Sequence, residues 1–152
     1  MKLRSIALSL SLCVTSAIML PLPTLPATNQ ATITMVSTDT TTDAGEPIRY
    51  LSTPNPEVTA MTLSLPPGGI TDWMTHPVPG YVYVLEGALT VEFTDGSNIT
   101  FKAGQGFMQA RTRWHRGVNE GNTTMRFLAV FFGEKSTPTI LNPPPKPLAN
   151  LK

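Results

Sequence analysis

The amino-acid sequence predicts an all-β domain, a sandwich or small barrel of antiparallel strands, occupying the middle of a 152-residue chain. Three observations carry this. Between Pro47 and Gly133, short runs rich in branched and aromatic residues recur about every ten residues, separated by Gly or Pro turns. Fifteen prolines and eleven glycines suit turns and extended segments rather than a helical bundle. No window of a dozen residues keeps a helical apolar period.

The runs follow one another in order. Val58 to Leu65 is rich in Thr and branched residues and stops at Pro66-Pro67-Gly68-Gly69. Tyr81 to Leu85 is continuously apolar and stops at Glu86-Gly87. Ala88 to Phe93 leads into Asp95-Gly96, a strong hairpin signal between two apolar alternations. Ile99 to Phe101 ends at Lys102-Ala103-Gly104, Gly106 to Ala110 precedes a polar corner, and Met125 to Phe132 closes at Gly133. Tyr81 and Tyr83 share one face of their strand and Val82 and Val84 the other, so one pair faces the interior.

Flanking segments divide the chain further. Residues 1–27 are expected to be a signal peptide: Met1-Lys2-Leu3-Arg4 is basic, Ile6 to Leu20 is apolar but short for a membrane span, and Leu25-Pro26-Ala27 offers a cleavage site. Ala31 is a second site, and an uncleaved anchor is the alternative. The expectation is export, to a periplasm or the exterior, with no stable membrane span after cleavage. Cys13, the single cysteine, lies inside this leader, so the mature domain would have neither disulfide nor thiolate chemistry. Residues 28–46 form a Thr-rich lead-in, expected to be mobile or an edge strand at most. Residues 134–152 form a Pro-rich tail, with Pro143-Pro144-Pro145 and Pro147, expected to run extended over the surface or to serve as a polyproline ligand. Without residues 1–27 the chain carries 9 basic and 10 acidic groups, no footprint for nucleic acid.

Chemistry centres on the only two histidines, His76 and His115. No nucleophile elbow, phosphate loop or dinucleotide Gly pattern is present. Around His76 the sequence runs Pro67-Gly68-Gly69-Ile70-Thr71-Asp72-Trp73-Met74-Thr75-His76-Pro77 and on to Gly80-Tyr81-Val82-Tyr83-Val84-Leu85-Glu86-Gly87. Around His115 it runs Gly104-Gln105-Gly106-Phe107-Met108-Gln109-Ala110-Arg111-Thr112-Arg113-Trp114-His115-Arg116-Gly117-Val118-Asn119.

These two stretches resemble the two motifs of the cupin superfamily, in the right order. Gly68, His76 and Gly87 take first-motif positions; Gly104, His115 and Asn119 take second-motif positions. Trp73, the His76-Pro77 dipeptide and Trp114-His115 also fit a closer subset of the family. The resemblance covers residues 47–133. It implies an antiparallel barrel of jelly-roll type, a divalent metal held by two His and a Glu from the first motif and a His from the second, and a homodimer paired through strands. The departures are as specific as the matches. Met74 stands at the first His, Gly80 at the Glu, Ala110 at a Pro and Thr112 at a Gly.

Three readings stay open. In the first, the barrel is a small-molecule-binding scaffold with no tightly held metal, Met74 filling the lost His position. In the second, Met74, His76 and His115 make a copper-type site, Met favouring Cu(I), with Gln109 as a weak oxygen donor. In the third, a metal-dependent oxygenase or isomerase draws a further ligand from Asp72 or Glu86. Residues 74 and 76, two apart, point to one face of a strand. Tyr81, Tyr83, Trp73, Trp114 and Arg113 are the candidate pocket residues for a small-molecule ligand.

Overall fold

The computed structural model describes residues 31–142 and contains seven strands and no helix among them. The leader expected at 1–27 and the Pro143–Pro147 run lie outside the described residues. All seven strands fall in the unit that begins at Thr34. In chain order they are β1 (Pro56–Leu65), β2 (Gly80–Glu86), β3 (Ala88–Phe93), β4 (Asn98–Lys102), β5 (Gly106–Met108), β6 (His115–Val118) and β7 (Met125–Glu134).

Every pairing is antiparallel. One sheet has the order β1-β7-β2-β5 and the other β4-β3-β6, a jelly-roll arrangement. Side-chain alternation explains how the two sheets meet. Met125, Phe127, Ala129 and Phe131 of β7 and Val82 and Val84 of β2 point into one core with Leu89, Val91 and Phe93 of β3. The β3–β4 hairpin turns at Asp95-Gly96 as the sequence predicts, with Gly96 at φ 86°.

Two sequence expectations are corrected by this packing. Val82 and Val84 are the buried pair of β2, so Tyr81 and Tyr83 lie on the outward face, half-buried. Tyr81 is covered from outside instead: its hydroxyl is 2.7 Å from Ser37 Oγ and its ring end lies where a side chain at Gly106 would be. The polar corner before His115 is followed by a short four-residue strand, β6, which pairs with β3 from Thr90–Val118 to Phe93–His115. Four residues that include Arg116 and Gly117 carry no strand signal by themselves; tertiary pairing decides.

The end of the lead-in, residues 41–46, is docked rather than loose. Thr41 bridges Pro47, and the Asp43 N–H donates to Met108 O at 2.8 Å. Asp43 Oδ1 accepts from the Ala110 N–H at 2.7 Å, and Glu46 accepts from the N–H groups of Arg111 and Thr112 and from the Thr112 hydroxyl. This gives the second-motif departures a physical role. A proline at 110 would lack the N–H that Asp43 accepts, and a glycine at 112 would lack the hydroxyl that Glu46 accepts.

Burial pushes the Asp43 carboxyl up to about 7, helped by the neighbouring Glu46, against the hydrogen bonds from Ala110 and Ala44 and the charge of Arg113. Burial raises Glu46 too, but its bonds from Thr112, Arg111 and Thr42 outweigh this and hold it below the usual value. A carboxyl whose folded-state pKa lies above its unfolded value binds more protons when folded, so its contribution to stability falls as pH rises from about 4 through about 7. Asp43 Oδ2 has no hydrogen-bond partner. Asp43→Asn keeps Oδ1 and removes the buried charge, and is expected to raise stability at pH 8 by about 1–2 kcal/mol with no gain near pH 4. Urea melts of both proteins at the two pH values check this; an equal or lower midpoint for the variant at pH 8 overturns it.

Candidate functional site

The segment between β1 and β2 runs antiparallel beside β6 without forming a regular strand. Thr71 N–H donates to Gly117 O at 2.9 Å, and Gly117 N–H donates back to the Thr71 hydroxyl at 2.9 Å. Met74 and His115 then exchange both backbone bonds, Met74 N–H to His115 O at 2.8 Å and His115 N–H to Met74 O at 2.9 Å. That pairing brings the two motifs together. Met74, two residues on His76, and His115 all line one small cavity between the sheets.

The two imidazoles are nearly inaccessible, 1% exposed for His76 and 3% for His115, and their ring centroids are 5.1 Å apart. Each Nδ1 is taken by a backbone carbonyl: His76 donates to Thr139 O at 2.8 Å, and His115 to Arg113 O at 2.9 Å. Burial lowers both pKa values, that of His76 to about 4 against the bond to Thr139 and with help from His115. At neutral pH both rings are therefore uncharged with the proton on Nδ1, and each Nε2 presents a lone pair. Neither Nε2 has a hydrogen-bond partner, and the same is true of Gln109 Oε1 on the same cavity wall.

The cavity has a volume of about 40 Å³ and an otherwise apolar wall that includes Leu63, Leu89, Phe127, Phe131 and Ile140. Such a space takes one ion or a few waters. All polar atoms aimed into it without a partner are acceptors, so its occupant brings positive charge or hydrogen-bond donors. An anion does not fit.

The divalent-metal set that the sequence resemblance implies does not fit either. Its carboxylate position is Gly80, where an added Cβ would come within 2.7 Å of the Phe131 ring and 3.0 Å of Gln109 Oε1. Phe131 and Gln109 fill that space instead. Among the described residues no group of three His, Cys, Asp or Glu could hold a metal. Asp72 is exposed, and Glu86 of β2 pairs with Arg126 of the neighbouring β7 at 2.8 Å, so neither acid lines the cavity.

None of the other candidate pocket residues lines it. Tyr81 and Tyr83 face outward, as above. Trp73 and Arg116 belong to a separate shallow depression with Glu92, where the Arg116 guanidinium lies 4.7 Å from the Trp73 ring. Arg113 stacks over Phe93 at 4.3 Å and pairs with Asp95, leaving only its carbonyl to the site. Trp114 is half-buried and accepts from the Thr94 N–H.

Sequence reasoning missed two contributors, Thr139 and Ile140. The tail expected to run over the surface crosses the site first. Leu141 pairs with Thr75, its N–H donating to Thr75 O at 2.9 Å. The one signal available was an apolar Ile140-Leu141 pair just ahead of the prolines.

Two facing antiparallel sheets with the two His-bearing segments between them define a jelly-roll domain. Residues 61–131 match the family model described as "Cupin domain", and the chain carries a cupin domain. No curated protein matches the sequence. Solved structures similar to it include the polyketide cyclase RemF from Streptomyces resistomycificus, at 26% identity and a TM-score of 0.48, covering 56% of this chain and 59% of that one. Others are an RmlC-like cupin from Shewanella frigidimarina (22%, TM-score 0.45, covering 53% and 69%) and the oxalate decarboxylase of Lactobacillus farciminis (21%, TM-score 0.47, covering 55% and 26%). The chain thus spans about three fifths of the cyclase and about a quarter of the decarboxylase.

Proposed function

We propose that this protein is an exported cupin binding module whose barrel takes one soft metal ion, Cu(I), on His76, His115 and Met74, with Gln109 beside it. The observation that carries the reading is the pair of buried, unpartnered Nε2 atoms on one cavity wall. A buried acceptor left without a partner costs about 1–3 kcal/mol, so two of them facing one space call for an occupant.

The donor chemistry selects the ion. Two neutral imidazoles and a thioether supply no negative charge, which disfavours a divalent cation and suits the softer Cu(I). Two imidazoles ligating one ion at about 2.0–2.1 Å and a tetrahedral angle have ring centroids about 5 Å apart, close to the 5.1 Å separation of His76 and His115. Both Nδ1–H groups are held by carbonyls, the arrangement that fixes a ligating tautomer.

A small-molecule ligand is the second reading, favoured by the apolar wall of the cavity. Such a ligand would be short, aliphatic and tipped with a hydroxyl or amine to donate to the Nε2 atoms. The two readings separate in one titration. Protein without a His tag is titrated against a Cu(I)–bicinchoninate complex. One copper per chain is expected, with His115→Ala and Met74→Leu each weakening retention by about tenfold or more. A protein that removes no copper from the chelator overturns the metal reading and leaves the small-molecule one.

A further inference from the structure

The tail enters the barrel mouth by a specific route. At the end of β7 a turn closes with the Thr137 N–H on Glu134 O at 3.1 Å, and Ser136 sits at φ 73°, a left-handed conformation that a serine rarely adopts. This reversal sends residues 137–142 back across the cavity opening. Three contacts hold them there: the Leu141–Thr75 backbone pair, the Thr139 carbonyl on His76 Nδ1, and the Ile140 side chain in the cavity wall. Leu141 itself points out, 40% exposed.

We infer that residues 137–142 form a strap that closes the histidine site and must lift for anything to enter or leave. Beneath it the two imidazoles have almost no contact with solvent and the cavity is small, with room for an ion or a few waters. The strap's attachment is thin compared with the sheet around it. It is an isolated two-residue bridge on an irregular segment, whereas β1 and β7 pair over ten residues. Segments with few backbone bonds and few buried apolar contacts open first. The strap also couples access to chemistry. When it lifts, Thr139 O leaves His76 Nδ1, so the ring loses the bond that fixes its tautomer at the moment the site opens. As regulation of the proposed metal site, this rests on the Cu(I) reading, but the closure itself is measured without copper.

The chain holds only two histidines, and mass mapping of their peptides after treatment with diethyl pyrocarbonate, with carbethoxylation assigned to the residue, reads the access of each. Thr75 and Leu141 face each other in a bonded antiparallel pair, close enough for a disulfide. In the full chain with Cys13→Ser, Thr75→Cys and Leu141→Cys, the oxidised form is expected to modify His76 at least tenfold more slowly than the reduced form. Leu141→Pro, which removes the N–H donor to Thr75 O, is expected to modify it several-fold faster than the unaltered chain. Equal rates in oxidised and reduced protein overturn the strap. A rate difference without copper uptake keeps the strap and overturns the metal reading; copper uptake at equal rates does the reverse.

Discussion

Replacing Asn119 by alanine is expected to lower the unfolding free energy by about 2–4 kcal/mol, more than any other polar truncation in the domain. Asn119 is 1% exposed, and both ends of its side-chain amide are hydrogen-bonded. Its side-chain N–H₂ donates to the carbonyls of Leu65, Pro66 and Thr123 at 2.8–3.0 Å, and its Oδ1 accepts from Gly121 N–H at 3.0 Å. Its own backbone exchanges bonds with the Gly68-Gly69 turn. One side chain therefore ties the end of β1, its Pro-Gly turn and the β6–β7 loop together. Alanine takes this partner from the carbonyls of Leu65 and Thr123 and from the Gly121 N–H in an enclosed space, while Pro66 O keeps its bond from the Gly69 N–H. Asn119→Asp is a sharper probe, because it keeps the shape and the Oδ1 acceptor but sets an oxygen against three carbonyl oxygens. Urea unfolding measures both. A cost under about 0.5 kcal/mol for the alanine variant would show that water or relaxation satisfies those groups.

Asn119 also shows what the sequence made legible. Its place four residues after His115 marked it as a motif residue, yet its partners come from β1 and from Thr123, and spacing says nothing about those. The strands themselves were readable wherever an apolar run met a Gly or Pro turn, as in β2, β3 and β7. Strand β6 was not, because Arg116 and Gly117 acquire their extended form only by pairing with β3. For the site, parity alone placed Met74 and His76 on one face. Which face of β2 turned inward was undetermined, since Tyr and Val are both acceptable in a core. The structure resolves it through Phe131 and Gly80: with a bulky ring opposite position 80, the valine face packs inside. The lead-in and the tail were the least legible, because Asp43, Glu46 and Thr139 act through backbone groups of residues far along the chain. Such contacts leave no periodic trace.

Restoring a carboxylate at the first motif's acidic position is expected to fail. Gly80→Glu would put a Cβ 2.7 Å from two carbons of the Phe131 ring, and Phe131 is 2% exposed and packs against His76, with ring centroids 5.0 Å apart. The ring cannot retreat without disturbing His76, and the new carboxylate would be buried beside Gln109 Oε1, an acceptor rather than a donor. Overpacking together with an unpaired buried charge is expected to cost about 3 kcal/mol or more, with no gain in Mn²⁺ affinity. Met74→His meets none of these obstacles. Position 74 lines the cavity opposite His115, is half-buried, and adds a third neutral imidazole toward His76 and His115. It is expected to fold with a loss under about 1.5 kcal/mol and to bind Zn²⁺ more tightly than the unaltered chain. The asymmetry between the two variants is the informative outcome. A missing His at 74 is a change of ligand that one substitution reverses. A missing Glu at 80 is a change of packing, in which Phe131 and Gln109 have taken the space, and reversing it requires Phe131 to shrink as well. Gly80→Glu with Phe131→Ala is therefore expected to bind Mn²⁺ where Gly80→Glu alone does not. If Gly80→Glu alone folds with unchanged stability, the contact between position 80 and Phe131 is not the barrier described here, and the neutral character of the site must have another cause.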